Sequence, residues 1–484
     1  MSGSPTPTEE QNEVLDFFGK GKSFKISAFA GTGKTSTLKM LAETYSKTKC
    51  SYLAFNRLIA QEASSKFPKN VSCKTFHSLA YHSVPKHISI RVHSQRYMPE
   101  DIAHDFRLYP IELPLKSDPT RTGVMSGWDQ GVLISKAVDN FCRSSDKSVK
   151  FSHVMQALPK WVFREKCRDY ALILTPLVQK FWEMCISEKY DFKISHDVYL
   201  KFWSLQNPII HADTIFLDEA QDADAIMLNI LKSQDAQIVL VGDKYQQIYQ
   251  FRGAINAMQS VNIPEFYLTK SFRFGNQIAE IANAVLGRVL GERKKIVGNE
   301  LIDSKIEYIP RPNAILARTN ATAFEVALGC AQASIKTKIE VDTNQILSLL
   351  EDCDRLNNGE KLSVRSPFFG FKSWKEVELY VEMNEYADFA PFVRLVQKND
   401  IETLKTTLQR MTTQDDYECV VLTAHKSKGL EYNSVKLMDD FKYSLEPDEE
   451  FVQPDEARLI YVAGTRAIQT LDINEMSGFY DQIT

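Results

Sequence analysis

An α/β fold of mostly parallel sheets is predicted by three observations. Short apolar runs recur with helical stretches between them, the rhythm of parallel strands joined by crossovers. One of these runs leads into a glycine-containing loop and another into a pair of carboxylates. The chain has 484 residues, more than a single core sustains, so several domains are expected. Its composition, 44% hydrophobic and 25% charged, excludes a disordered chain, which would lack the apolar content to offset its ordering entropy. No apolar run approaches the roughly 18 residues of a membrane span. The first residues, Met1-Ser2-Gly3-Ser4-Pro5, lack the charged-then-apolar pattern of a secretory signal. An intracellular chain, in the cytoplasm of a prokaryote or the nucleus of a eukaryote, is expected.

Taken in order, the clearest strands are expected at 24–28, 51–55, 214–217, 237–241, 314–317 and 419–423. Two stretches break the rhythm. Residues 83–207 carry helical periodicity, best at 128–141, 154–163 and 172–187, and residues 334–414 do so at 344–355, 374–380 and 400–411. Each lies between strand-rich blocks and reads as an insertion. The expected organisation is therefore a first domain of 1–82 and 208–265 interrupted by a helical insertion, 83–207. A second domain of 266–333 and 415–484 is interrupted by a shorter one, 334–414.

The eight cysteines (50, 73, 142, 167, 185, 330, 353 and 419) form no C-x-x-C pair, which argues against a zinc cluster or disulfide framework and for reduced, mostly buried thiols. With 58 basic and 62 acidic residues the net charge is −4, so a polyanionic partner must be met by local basic surface. Seven Lys/Arg between Arg143 and Arg168 either grip a duplex or form a solvated helix face. The eight acidic residues between Asp439 and Glu456 read as a solvated loop.

The run Lys25-Ile-Ser-Ala28-Phe-Ala30-Gly31-Thr32-Gly33-Lys34-Thr35 is a strand, a loop and the start of a helix. Glycines let the backbone curl so that several N–H groups face one anion, and the helix N-terminus adds its positive end. Lys34 would reach the β- and γ-phosphates of a nucleoside triphosphate, and the Thr35 hydroxyl would ligate Mg²⁺. Ala28 stands where the general pattern has its first glycine. A second motif, Thr214-Ile-Phe-Leu-Asp218-Glu219-Ala-Gln221-Asp222, is an apolar strand running into carboxylates. Strand ends beside a phosphate loop are where such sheets place ligands. Asp218 would hold Mg²⁺ and Glu219 would orient and deprotonate the attacking water.

With these motifs in hand, the chain resembles the UvrD/Rep group of superfamily 1 DNA helicases, most closely the F-box DNA helicase branch without an F-box. The motifs appear in order from Gln11 to Arg466. The resemblance implies two RecA-like domains and assigns further residues. Within Pro7-Thr8-Glu-Glu-Gln11, Gln11 would read adenine, and the backbone from Ala30 through Gly31, Thr32 and Gly33 to Ser36 would cradle the nucleotide. Ser36 replaces an arginine that relatives stack on the base. Phe55 and Asn56, and Phe76 and His77, match segments lining a single-strand path. In 241–254, Gln246 would sense the γ-phosphate while Tyr249, Phe251 and Arg252 face DNA; Phe251 stands where many relatives carry tryptophan. In Leu268-Thr-Lys-Ser-Phe272-Arg273, the ring lies near adenine and Arg273 near the γ-phosphate. His425 and Glu431 lie in the segment joining nucleotide to DNA, Glu431 as a ribose contact, and Arg466 is the second arginine finger.

What the resemblance implies is an ATP-dependent DNA helicase that uses Mg²⁺ and moves 3′→5′ on single-stranded DNA and at single-strand/duplex junctions, with room for a protein loading partner. A translocase that strips bound proteins without unwinding is the alternative, and a nucleotide-binding switch without DNA a weaker one. Arginines distant in sequence from Lys34 would complete the site only when ATP draws the parts together.

Overall fold

The structure is a computed structural model that describes the whole chain except residues 1–5, 96, 117, 160, 249–255, 361, 363–365, 384–388 and 447–449. Chain contacts divide it into two compact units, one of residues 1–28 and 34–268, the other of 29–33 and 269–484. Both are α/β with parallel sheets, as the apolar rhythm predicts.

The first unit contains strands β1 (Phe24–Ala28), β2 (Cys50–Ala54), β3 (Val71–Thr75), β4 (Ile111–Pro114), β5 (Thr122–Met125), β6 (Thr214–Leu217), β7 (Gln237–Gly242) and β8 (Glu265–Leu268). Six of them form one sheet in the order β3-β2-β6-β7-β1-β8, and every pair in it is parallel. Burial on both faces explains their unbroken apolar runs: all five residues of β1 and of β2 are buried. One consequence matters for chemistry. The C-terminal ends of β1, β6 and β7 line one edge of the sheet, and the phosphate loop, Asp218-Glu219 and Asp243 follow those ends.

Between β3 and β6 lies the helical insertion with the antiparallel hairpin β4–β5. Its longest helices are Gly127–Arg143, started by a Ser126–Asp129 capping box, and Arg168–Ile186. The expected helix 154–163 is shorter, Phe151–Ala157. Pro159 lacks an N–H and drives Leu158 to an extended conformation (ψ 137°), after which Val162 bridges to Leu115.

The second unit contains β9 (Lys305–Ile306), β10 (Ala314–Ala317), β11 (Thr337–Glu340), β12 (Cys419–Thr423), β13 (Tyr432–Leu437) and β14 (Ala467–Asp472). They form a parallel sheet in the order β11-β12-β10-β13-β14-β9. Helices Thr343–Asn357, Trp374–Met383, Ala390–Lys398 and Ile401–Thr412 fill the sequence between β11 and β12. Their apolar faces share one core with β10, β11 and β12.

Candidate active site

Helix Lys34–Thr44 starts directly after the phosphate loop, whose Gly31 and Gly33 have φ of 73° and 81°, conformations that side chains with a Cβ adopt at a penalty. The Lys34 ammonium lies 3.2 Å from Glu219 Oε1. Burial works against its charge, but Glu219, Asp243 and Asp218 together outweigh burial and raise its pKa. Glu219 itself has φ 52°, a left-handed conformation that is uncommon for a residue other than glycine.

Asp218 is buried at the end of β6. Its Oδ1 accepts the Glu219 N–H at 2.9 Å and its Oδ2 accepts the Thr35 hydroxyl at 3.4 Å. Burial and the neighbouring Glu219 raise its pKa while Lys34 opposes them. Thr35 and Asp218 thus present a hydroxyl and a carboxylate side by side, the hard oxygen donors that suit Mg²⁺. No group of three or more His, Cys, Asp or Glu that could hold a metal exists among the described residues. The pair therefore fits an ion whose shell is completed by water and substrate phosphates, which is how Mg²⁺ is usually held.

From Glu219 the polar contacts continue to Gln246 through Gln221 and Asp243, to which the sequence assigned no role. Gln221 Nε2 donates to Glu219 Oε2 at 2.5 Å, and Gln221 Oε1 accepts the Asp243 N–H at 3.1 Å. The Asp243 carboxylate accepts from Gln246 Nε2 at 2.8 Å. One line of bonds therefore runs Lys34–Glu219–Gln221–Asp243–Gln246, across the ends of β6 and β7. A Cβ at Gly242 would stand 2.3 Å from Gln221 Oε1, so a larger residue there would push that side chain out of the line. Tyr52, fully buried in β2, donates to Asp218 Oδ2 at 2.5 Å. Asp243 has a sequence signal, since it too is a carboxylate after an apolar strand. Tyr52 has none, because its partner is 166 residues away.

Gln11 is 2% exposed. Its Oε1 accepts the Thr8 N–H and its Nε2 donates to the Thr37 hydroxyl, both at 3.0 Å. These two bonds hold the amide side chain in one orientation. Ser36 is exposed.

In the second unit, Gly31 O accepts the Phe272 N–H at 2.7 Å and the Ala30 N–H donates to the buried Tyr461 hydroxyl at 3.0 Å. A Cβ on Gly31 would stand 2.6 Å from Arg273 Cβ. The Thr32 hydroxyl donates to Phe29 O at 2.8 Å. Phe272 is 45% exposed. Arg273 Nε donates to Glu431 Oε2 at 2.7 Å and Nη1 to Thr465 O at 3.1 Å, which joins two residues assigned separately to phosphate and ribose. Arg466 is 1% exposed; its Nε donates to Val462 O at 2.8 Å and its Nη1 to Leu430 O at 3.2 Å. Both guanidinium groups thus donate to acceptors of the second unit.

Of the residues expected to face DNA, Phe55 is 39% exposed. Asn56 caps helix Arg57–Lys66, its Oδ1 accepting the Ile59 N–H at 2.9 Å. Phe76 is 2% exposed and belongs to the core cluster, where its ring anchors helix Phe76–Ser83. His77 Nε2 lies 3.4 Å from Asp197 Oδ1, and Asp197 also accepts from Arg143 Nε at 2.9 Å. His425 is half-buried in the turn after β12. Tyr249, Phe251 and Arg252 lie outside the described residues. The basic stretch 143–168 is spread over several elements: Lys150 pairs with Asp146 and Arg164 donates to Leu158 O. Of the acidic segment, Asp440 accepts the Arg318 and Thr319 N–H groups, and the buried Glu456 pairs with Arg318 at 2.8 Å. These two carboxylates hold structure rather than solvate a loop.

Residues 11–252 match the family model of an AAA domain and residues 371–477 that of a UvrD-like helicase C-terminal domain. F-box DNA helicase 1 of Gallus gallus is 31% identical over 96% of this chain and 48% of its own length. F-box DNA helicase protein 1 of Schizosaccharomyces pombe is 28% identical over 97% and 57%. DNA helicase IV of Escherichia coli is 26% identical over 56% and 46%. The chain thus spans about half the length of these relatives. No described helix is long and apolar enough to cross a membrane. With both family models matched and a DNA helicase relative 31% identical over 96% of the chain, this chain belongs to the UvrD-like family of superfamily 1 DNA helicases.

Proposed function

We propose that the chain is an ATP-dependent DNA motor that moves 3′→5′ on single-stranded DNA and separates duplex at junctions. The observation that carries this reading is the line Lys34–Glu219–Gln221–Asp243–Gln246. It sets a cation, a carboxylate and an amide in one row beside the Thr35–Asp218 oxygen pair. Hydrolysis builds charge on the γ-phosphoryl oxygens, so positioned charge does most of the work. Lys34 binds the phosphates, and Thr35 and Asp218 would hold Mg²⁺, which neutralises phosphate charge when bound. Glu219 takes the proton of the attacking water. Arg273 and Arg466 exchange Glu431 and backbone carbonyls for phosphate oxygens. Gln246 ends the line three residues before Tyr249 in sequence, and we assign it the link between the phosphate and the track.

The test is strand displacement on duplexes bearing a 3′ or a 5′ single-stranded tail, with ATP and Mg²⁺. Displacement only from the 3′ tail is expected. Displacement only from the 5′ tail overturns the direction. ATP hydrolysis on both substrates without displacement favours a translocase that strips bound proteins.

A further inference from the structure

The run Arg288-Val-Leu-Gly-Glu292-Arg293-Lys294-Lys295-Ile-Val297 carries four cations against one acid. All four cations are exposed, and the backbone that presents them is fastened at several points. The Leu290 N–H donates to Val285 O at 3.2 Å and the Glu292 N–H to Leu286 O at 2.9 Å. Asn283 clasps Ile296, its Nδ2 donating to Ile296 O at 2.9 Å and its Oδ1 accepting the Ile296 N–H at 2.8 Å. Val297 then bridges in parallel to Lys270: its N–H donates to Thr269 O at 3.0 Å and its carbonyl accepts the Ser271 N–H at 2.8 Å. That bridge sets Lys270, also exposed, beside the run.

The Glu292 carboxylate is turned onto the backbone, where its Oε1 accepts the N–H of Arg293 at 2.7 Å and of Lys294 at 2.9 Å. Among the described residues no carboxylate pairs with the side chain of Lys270, Arg288, Arg293 or Lys295. Other exposed lysines of the same unit differ: Lys336, Lys375 and Lys398 pair with Asp416, Glu378 and Glu325. Like charges fixed side by side repel one another, and a covering polyanion turns that repulsion into attraction. The run holds no aromatic residue, so it offers no platform on which unpaired bases could stack. Exposed cations without rings suit a phosphate backbone, densest in a duplex with one charge per ~1.7 Å of axis.

We propose that Lys270, Arg288, Arg293, Lys294 and Lys295 form a surface that holds the phosphate backbone of duplex DNA. This rests on the reading of the chain as a DNA motor and adds a duplex contact on the second unit, apart from the segments assigned to a single strand. The bonds to Thr269 and Ser271 tie the surface to the segment that carries Arg273.

The test is fluorescence anisotropy of the whole chain with a blunt duplex and with oligothymidine of equal length, over a range of KCl concentrations. In Arg288→Ala/Arg293→Ala/Lys295→Ala, duplex affinity should fall at least about tenfold, and the slope of log K against log[KCl] should become less steep by about 2–3. Single-strand affinity should fall far less. Arg288→Lys/Arg293→Lys keeps the charges and should retain duplex binding. Lys336→Ala/Lys375→Ala/Lys398→Ala removes the same net charge elsewhere on the unit and should leave the slope where it was. An unchanged slope in the first variant, an equal change in the last, or equal losses on both DNAs overturns the proposal. If the unaltered chain binds oligothymidine but not duplex, the surface is overturned and the motor reading stands; if it binds neither, both fall.

Discussion

Glu219 holds its left-handed backbone because bonds on three sides fix it: its N–H to Asp218, its carboxylate to Lys34 and to Gln221. A carboxylate so constrained suits a general base, whose removal slows reactions ~10²–10⁴-fold. Glu219→Gln should therefore lower ATP turnover by at least about a hundredfold while retaining nucleotide binding, checked with a fluorescent ATP analogue. Lys34→Ala should lose binding and turnover together. Tyr52→Phe removes a hydrogen bond to a buried carboxylate, worth about 1.5–3 kcal/mol. It should lower unfolding free energy by that order and raise the Mg²⁺ concentration needed for half-maximal hydrolysis, read from urea melts and a Mg²⁺ titration. The difference between these residues explains what a sequence reveals about a site. Lys34, Thr35, Asp218 and Glu219 are legible because each sits at a strand end or loop with a local pattern. Tyr52 and Gln221 are not, since their roles arise from sheet neighbours and a strand pairing that brings distant positions together. Phe76 marks a further limit: a motif match gives the position of a ring but not its exposure, which is 2% here.

At the level of elements, β7 meets the turn after β6 so closely that a Cβ at 242 would stand 2.3 Å from Gln221 Oε1. Gly242→Ala should displace Gln221, destabilising the unit by about 1–3 kcal/mol as overpacking does and slowing hydrolysis more than it weakens nucleotide binding. Helix Ala225–Lys232 is capped by Asp224, whose side chain accepts the Met227 N–H at 2.9 Å. Burial, and then the nearby Asp197, raise this carboxyl from 3.8 to about 6. The folded form thus binds the proton more tightly than the unfolded form. Its charge is harmless below the unfolded pKa and weakens the fold progressively as pH rises through 6. Asp224→Asn keeps a good cap and removes the charge. It should stabilise the chain by about 1–2 kcal/mol at about pH 7.5, allowing for partial solvent screening, and by almost nothing at about pH 4. Urea unfolding at the two pH values measures this. Strands β1, β6 and β10 fall where their apolar runs predict because they are buried on both faces, and β2 differs by one residue. The helix at 154–163 fails at Pro159, a stop signal outweighed by the apolar residues around it.

For the whole molecule, two parallel sheets with helical insertions were legible from the order of apolar runs, since strand alternation is a local signal repeated many times. The bonds of Arg273 and Arg466 were not. Their assigned partner is a phosphate, and here they hold Glu431, Thr465 and carbonyls of 430 and 462. If these arginines exchange partners on ATP, Arg273→Ala should reduce turnover by ~10³-fold or more while ATP binding persists. The measurement that bears most directly on the motor is steady-state ATP hydrolysis by the unaltered chain and by Glu219→Gln, each with and without single-stranded DNA. Strong stimulation of the unaltered chain by DNA, and near-complete loss of both rates in Glu219→Gln, is the predicted result. Hydrolysis indifferent to DNA, or surviving in Glu219→Gln, would contradict it.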